Sequence, residues 1–500
     1  MQERNEGVMK GRIVIVPGTP NDENRDYLPE AIRGSDMVVN ENGNNSQVYP
    51  AGLTEYSDTV VDGLQDTWFE YVPASYDGAA KVPLVISLHG GLMTGWGQAI
   101  YSSWTQVADR EGFIVVFPNA HSRRIWVLEV EKKTLDVLGV PNPEGFYMHT
   151  PPEQPEDNHD LKLLLGLIER MKDKYNIDES RIFMQGMSMG EMMTNQFARY
   201  HGELLAGHAG SGGITWPEVL YDEQGDVINR AGPLPAWQSR VEHESIPFHE
   251  DETEEFVSRN REYWKRINGC RKLPAIRIVG EDNLAFYEGD HADYVFRDIK
   301  NRDHGQTFDD AELVWDYMFS GLRREENGTI VSGEPQCART GDDYAIALAA
   351  GSAKAYVNNQ LVSMSGPVIK HRKLKYHGLD GDAIVRGEYF LVPVSFIAEV
   401  FGASYASIDG GLAAELVLKD GRTLQFARGS IGCVVDNRIH SMYCEAVFQA
   451  GELFVPIEWI CKRLLNNHTS SCQDVLYITD HDAELSLNMA LLIRDEILSS

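Results

Sequence analysis

Apolar positions in this chain fall into short runs and long periodic stretches, and their alternation predicts the elements of the fold. Residues 1 to about 60 are polar and rich in Asn, Asp and Gly, with one strand-like run over 12–16. That composition is expected of an extension lying on the next domain or partly disordered. From Thr67 the pattern changes abruptly. TWFEYVPASYD and VPLVISLHGG are apolar, β-branched runs separated by a turn, and they read as two strands, the second buried on both faces. A helical stretch over 104–110, the strand FIVVFPNA, an amphipathic helix over 160–175 and the strand RIFMQG follow. Further strand candidates are LLAGHAGSGG, LPAWQSRVE, AIRIVGED and DYVFRDIK, and AELVWDYMFSGL closes the series as a helix. Strands alternating with helices predict an α/β fold with a doubly wound, mostly parallel sheet over residues 61–322.

Residues 323–343 are charged and rich in turn formers, the composition of a linker. An internal repeat occupies 344–480, followed by a tail over 481–500. AYVNNQLVSM, from Ala355, matches CVVDNRIHSM, from Cys433; GEYFLVPVSFIAEVFG, from Gly387, matches GELFVPIEWICKRLLN, from Gly451. Each copy predicts a hairpin turning on Asn-Asn or Asp-Asn, a short strand ending in Val-Pro, and a helix of about three turns. Two copies make one small α+β domain.

Composition changes this picture mainly by exclusion. A chain of 500 residues with 43% hydrophobic residues carries more than one core's worth of apolar surface. Its 75 acidic and 45 basic residues leave a formal charge of −30, which repels phosphate backbones and anionic headgroups, so nucleic acid is not an expected partner. No stretch reaches the roughly 18 to 20 apolar residues of a membrane span, and the start, MQERNEGVMKGR, lacks a signal peptide's apolar core. The expectation is a soluble chain, cytoplasmic or lacking its export signal. The six cysteines show no zinc spacing, and their redox state is left open.

The strongest chemical signal is Gly186-Met187-Ser188-Met189-Gly190, set between the strand RIFMQ and the helix EMMTNQFARYH. This is a GxSxG nucleophile elbow in its strand-turn-helix context, as in the α/β-hydrolase fold. Glycines two positions either side of the serine remove Cβ atoms that would clash in so tight a turn. A serine hydroxyl needs a base to take its proton, and the tetrahedral intermediate needs donors for its oxyanion. The expected donors are the amides of Met189 and of Gly91, in the loop after VISLHGG, with Leu92 the alternative to Gly91.

In this fold the base follows the last strand, which selects His304, in the loop Arg302-Asp303-His304-Gly305, over His291. The acid that orients it belongs after an earlier strand. Glu244, following LPAWQSRVE, is the first candidate, with Glu242 its neighbour and Asp282 the competitor. His89, Trp126 and Trp237, with His121 and Trp216, are candidates for lining a pocket for a sugar or aromatic acyl group. No cofactor is needed, and no metal is expected.

These residues, with the opening YVPASYDGAAKVPLVISLHGG, the segment WTQVADREGFIVVFPNA, WKRINGC ending at Cys270 and DHGQTFDDAELVWDYMF around His304, make residues 67–322 resemble the polyhydroxybutyrate-depolymerase-like esterases. That group includes the feruloyl and acetylxylan esterases of carbohydrate esterase family one. The resemblance implies a secreted-type esterase acting on acyl groups of plant polysaccharide or on polyester. It also implies that the acid precedes the WxxxNGC segment, which favours Glu244, although members usually carry Asp there. Glu191 departs from the small residue that commonly follows the elbow and narrows the space behind the nucleophile. The repeat domain, through LVPVSFIAEVFG, resembles the module at the N-terminus of copper amine oxidases and in bacterial surface proteins, which implies a spacer or cell-surface attachment unit and an extracellular setting. Two other functions remain: a serine peptidase of the same fold, and a non-catalytic surface binding protein.

Overall fold

The computed structural model describes residues 11–15, 47, 50–121, 124–143, 145–244, 249–377 and 382–499. They divide into two compact units: one comprises the chain up to Arg271, Phe286–Arg297 and Asn301–Arg339, the other Lys272–Ala285, Asp298–Lys300 and everything from Thr340 on.

In chain order the strands are β1 (Leu53–Thr59), β2 (Gln65–Tyr71), β3 (Val82–Leu88), β4 (Ile114–Pro118), β5 (Ile177–Met187), β6 (Gly207–Ser211), β7 (Ala236–Val241), β8 (Ala275–Val279), β9 (Asp282–Tyr287) and β10 (Tyr294–Ile299). The helices are α1 (Gly95–Tyr101), α2 (Trp104–Glu111), α3 (Lys132–Leu138), α4 (His159–Lys174), α5 (Met189–His201), α6 (Pro217–Leu220), α7 (Thr253–Asn268) and α8 (Asp310–Tyr317). Across the sheet of the first unit the order is β1-β2-β4-β3-β5-β6-β7-β10. β3, β4, β5, β6 and β7 run parallel, while β1 and β2 form an antiparallel edge. This is the mostly parallel, doubly wound sheet of an α/β-hydrolase.

All seven residues of β3 and all five of β4 are buried, as continuous apolar runs in a sheet covered on both faces require. In α4, Leu161, Leu164, Ile168 and Met171 recur at helical spacing and are buried, and the Asn158 side chain caps the helix by accepting from the Asp160 amide at 2.9 Å. Several elements were not anticipated by the hydrophobic pattern: α1, α3, α6, β9, β1 and α7. β1 is mostly exposed, so it carries no apolar signal. α7 lies in a sequence dominated by Glu and Arg, whose apolar stripe of Phe256, Val257, Tyr263 and Trp264 is thin. Residues 12–15 form no strand, and position 16 lies outside the described residues.

The segment read as a linker contains a hairpin, β11 (Leu322–Arg324) with β12 (Ile330–Ser332), and Arg324 Nε donates to the Leu205 carbonyl at 2.7 Å. It is held against the first unit instead of spanning free.

The second unit contains the repeat in three dimensions. The first copy's hairpin, Lys354–Val357 with Gln360–Ser363, turns on Asn358 and Asn359 at φ 47° and 63°; the second, Gly432–Val435 with Arg438–Ser441, turns on Asp436 and Asn437 at φ 50° and 61°. Two consecutive residues with positive φ make the type I′ geometry that matches strand twist, which Asn and Asp tolerate best. Strands ending at Pro393 and Pro456 run directly into helices, as the Val-Pro pairs predict. Segment 272–285 belongs to this unit: the Tyr356 hydroxyl accepts from the Ile276 amide at 2.9 Å, and Asp342 Oδ2 accepts from the Ile278 amide at 3.0 Å. Residues 481–500 are more than a tail. They carry a helix over Leu487–Leu491, and the Asn488 side chain donates to buried Asp298 at 3.1 Å. None of the six cysteines is joined in a disulfide. Among the described residues no helix is long and apolar enough to cross a membrane.

Candidate active site

β5 delivers Ser188 to a turn in which its backbone takes φ 55° and ψ −121°, a strained conformation for a residue with a Cβ. The turn is held from below by the Ser188 amide, which donates to the Ser211 carbonyl of β6 at 2.8 Å. It closes only because Gly186 and Gly190 lack side chains: a Cβ on Gly186 would meet the Gly190 carbonyl at 2.1 Å, and one on Gly190 would meet the Leu88 carbonyl at 2.3 Å.

His304 approaches from the loop after β10. Its Nε2 lies 2.9 Å from Ser188 Oγ, and its Nδ1 lies 2.8 Å from Glu244 Oε1. Glu244 follows β7 and its side chain is only 8% exposed, whereas His304 is 43% exposed, so one edge of the imidazole faces solvent. The Glu244 carboxylate on Nδ1 holds the His304 pKa above the ordinary imidazole range, against the opposing effect of burial. The loop bearing His304 is braced on both sides. The Gln306 side chain accepts from Gln185 Nε2 of β5 at 3.1 Å, and the Gln306 amide donates to the Tyr101 hydroxyl at 3.2 Å. Before His304, Glu242 accepts from the Asn301 amide at 3.0 Å, and the His243 amide donates to the Arg302 carbonyl at 3.0 Å. Glu242 therefore supports the loop without reaching the imidazole. Asp282 opens β9 in the second unit, and His291 stands in the turn before β10, where its amide donates to the Asn268 carbonyl at 3.1 Å.

Gly91 and Met189 meet: a Cβ on Gly91 would fall 2.5 Å from Met189 Sδ. Among the described residues neither backbone amide has a hydrogen-bond acceptor, while the Leu92 amide is spent on the Arg124 carbonyl at 2.9 Å. Of the two possible loop donors, the geometry leaves Gly91.

Glu191 does not point at the Ser188 hydroxyl. Its carboxylate turns away to a two-pronged ion pair with Arg240 of β7, at 3.0 Å on each oxygen, and also accepts from the Gly213 amide at 2.6 Å. Burial pushes Glu191 up to about 7, with Arg240 pulling the other way. Arg240 is the residue that sequence reasoning missed. It is 1% exposed, and a buried arginine on a strand ending beside the acid has no local signature except the equally unexpected Glu191.

The substrate-lining expectations are corrected. His89, Trp126 and Trp237 are each fully buried and make internal hydrogen bonds. His89 lies 2.7 Å from the Gly90 carbonyl through Nδ1 and accepts from the Ala120 amide through Nε2 at 3.0 Å; burial lowers its pKa to about 4, so it stays neutral. Trp126 Nε1 donates to the His89 carbonyl at 2.8 Å and its ring lies on the His89 ring at 4.9 Å. These two stiffen the strand end that carries Gly91. Trp237 Nε1 donates to Ser239 Oγ at 2.8 Å, part of a buried network in which Ser211, Ser239 and Arg297 converge on Asp310 of α8. Trp216 is 7% exposed, and His121 faces Asp66 and His159 instead of Ser188.

A serine hydroxyl, an imidazole held by a carboxylate and two amides without acceptors at a strand-helix turn are the kinds of group that acyl transfer uses. No family model matches the chain. Among curated proteins it is 28% identical over 172 residues, 34% of this chain, to a probable acetylxylan esterase A of Neosartorya fischeri, of which it covers 38%. It is 26% identical over 167 residues, 33% of this chain, to poly(3-hydroxyalkanoate) depolymerase C of Paucimonas lemoignei, covering 35% of that protein. With a bifunctional acetylxylan esterase/xylanase of Neocallimastix patriciarum it shares 30% identity over 124 residues, 25% of this chain and 14% of the relative. The chain thus spans well under half the length of each of these relatives. A solved acetyl xylan esterase from Aspergillus awamori aligns over 54% of this chain and 98% of its own, with 17% identity and a TM-score of 0.38.

Proposed function

We propose that the first unit is a serine carboxylic-ester hydrolase acting through an acyl-enzyme on acyl esters of polysaccharide or on polyester. The observation that carries this reading is the continuous line from Ser188 Oγ through His304 to Glu244, at 2.9 and 2.8 Å. Ser188 attacks the ester carbonyl while His304 Nε2 takes its proton. The amides of Met189 and Gly91 receive the negative charge that forms on the carbonyl oxygen. The imidazolium, stabilised by Glu244, then protonates the departing alcohol. Water enters, gives a proton to His304 and attacks the acyl carbon, and the acid leaves with Ser188 restored.

The substrate class rests on the names of the curated relatives, acetylxylan esterases and a polyhydroxyalkanoate depolymerase. His89, Trp126 and Trp237 are buried and form no aromatic platform; the acetylxylan esterases among the relatives favour a small acyl group. The test is a panel of acetyl, feruloyl and hydroxybutyrate esters offered to the wild type and to Ser188→Ala. Acetyl esters should be turned over fastest and the variant should lose at least about a thousandfold of kcat. A variant of near-normal rate would refute the mechanism, and a feruloyl preference would refute the substrate reading alone. For the second unit we propose a spacer or attachment role in an extracellular setting, supported by its twofold repeat; fractionating cells that express the chain tests the location.

A further inference from the structure

Away from Ser188, three side chains of the first unit converge where the start of β2, the loop after β4 and the start of α4 come together. They are Asp66, His121 and His159, and one donor atom from each lies within 4.8 Å of the others. Asp66 Oδ1 is 2.8 Å from His159 Nε2 and 3.3 Å from His121 Nδ1. The two imidazoles are tilted across one another with centroids 4.2 Å apart.

The Asp66 carboxylate supplies an independent observation. Asp66 is 2% exposed, and while Oδ1 receives both imidazoles, Oδ2 is buried with no hydrogen-bond partner. Leaving a buried carboxylate oxygen unengaged carries a full desolvation cost, which a cation at this point would offset.

The surroundings are those of a ligand set. His159 Nδ1, the nitrogen facing away from Asp66, lies 3.0 Å from Asp62 Oδ2, and Asp62 is itself gripped by Lys162 Nζ at 2.6 Å. A carboxylate on the far nitrogen fixes the tautomer that leaves the near nitrogen's lone pair free. Fully buried Asp160 accepts from the backbone amides of His121 at 3.1 Å and Val127 at 2.8 Å, which pins the loop that carries His121. The His121 and His159 side chains are 27% and 12% exposed, leaving an entry path and room for a solvent ligand.

We propose that Asp66, His121 and His159 form a binding site for a divalent transition-metal ion of the zinc class, with Asp62 as its outer carboxylate. Two imidazoles with one carboxylate suit Zn²⁺, Co²⁺ or Ni²⁺, whereas Ca²⁺ and Mg²⁺ require shells built of oxygen. Tetrahedral bonds of about 2.0–2.1 Å place neighbouring donors about 3.3 Å apart. The Asp66 separations of 2.8 and 3.3 Å lie within about half an ångström of that spacing, and the two imidazole donors lie within 4.8 Å of each other. The ion would tie together three segments that lie far apart in sequence, His159 and Asp66 being separated by 93 positions. That separation explains why no ligand spacing is visible in the sequence.

The experiment uses the full chain, stripped with a chelator and titrated with Zn²⁺ against a chromophoric competitor, with Co²⁺ absorption reporting coordination. The wild type should take one equivalent, gain thermal stability with it, and give a four-coordinate Co²⁺ spectrum. His121→Gln and His159→Gln should each lower Zn²⁺ affinity by about 100-fold or more, and Asp62→Asn by about 10- to 100-fold. Far-UV circular dichroism checks that each variant is folded; should one fail, the remaining histidine variant and Asp62→Asn still decide. No stoichiometric ion in the wild type, or unchanged affinity in the folded variants, overturns the proposal.

Discussion

Replacing Glu244 by Gln keeps the size of the side chain and removes one charge at the point where His304 Nδ1 is held at 2.8 Å. Two losses follow. The bond from Nδ1 to a carboxylate becomes a neutral contact, and bonds to charged groups contribute about 1.5–3 kcal/mol. An amide can also present its NH₂ to Nδ1, which favours the tautomer with hydrogen on Nε2 and leaves nothing to take the Ser188 proton. Glu244 is 8% exposed, so little water is at hand to substitute for the lost charge. Together these predict a fall in kcat of about 10³- to 10⁴-fold, about 4–5.5 kcal/mol of transition-state stabilisation. The pH profile supplies a second signature. Activity requires neutral His304, so the rate falls as pH drops through its pKa, and Glu244 is the main cause that keeps this pKa above the ordinary value. Glu244→Gln should move the acid limb of the kcat/KM profile to lower pH while depressing its plateau. Initial rates on p-nitrophenyl acetate across pH 4 to 9 (about the range a triad histidine titrates in) measure both. A variant that keeps more than about a tenth of the wild-type plateau, or an acid limb that does not move, would refute the assignment of Glu244.

Other outcomes follow from the same geometry. Arg240→Met strands the buried Glu191 carboxylate and should cost about 3–5 kcal/mol in urea denaturation, whereas a loss under about 1 kcal/mol would mean that the pair is not a buried ion pair in solution. Gly190→Ala puts a Cβ 2.3 Å from the Leu88 carbonyl and should destabilise the fold by about 3 kcal/mol or more while abolishing hydrolysis, read by denaturation and initial rates. Trp126→Phe removes the bond to the His89 carbonyl and should cost about 1–3 kcal/mol of stability with KM for acetyl esters unchanged; a raised KM with intact stability would restore Trp126 to the substrate pocket.

How far the site was legible depended on whether its constraints are local. The elbow was readable because the clash that demands Gly186, with the Gly190 carbonyl, arises within one turn of chain, whereas the one that demands Gly190 is with the distant Leu88 carbonyl. The positions of His304 and Glu244 could be read from strand order, since they follow β10 and β7, which are neighbours in the sheet. Residue type misled where it stood in for burial: His89, Trp126 and Trp237 are chemically suited to a sugar, and each is packed inside. Arg240 with Glu191, and Asp66 with His121 and His159, were invisible because their meaning lies in pairings across the sheet that no spacing encodes. The boundary of the second unit was hidden for the same reason. β8 reads as an ordinary alternating strand, and its bonds to Asp342 and Tyr356 show which unit holds it.

Reaction of the wild-type chain with a fluorophosphonate probe, followed by peptide mass mapping, interrogates the nucleophile itself and needs no knowledge of the substrate. One adduct per chain on the peptide containing Ser188, absent from Ser188→Ala and slowed by loss of His304, is the expected result. An unlabelled Ser188 in folded protein, or an adduct on another residue, would contradict the account.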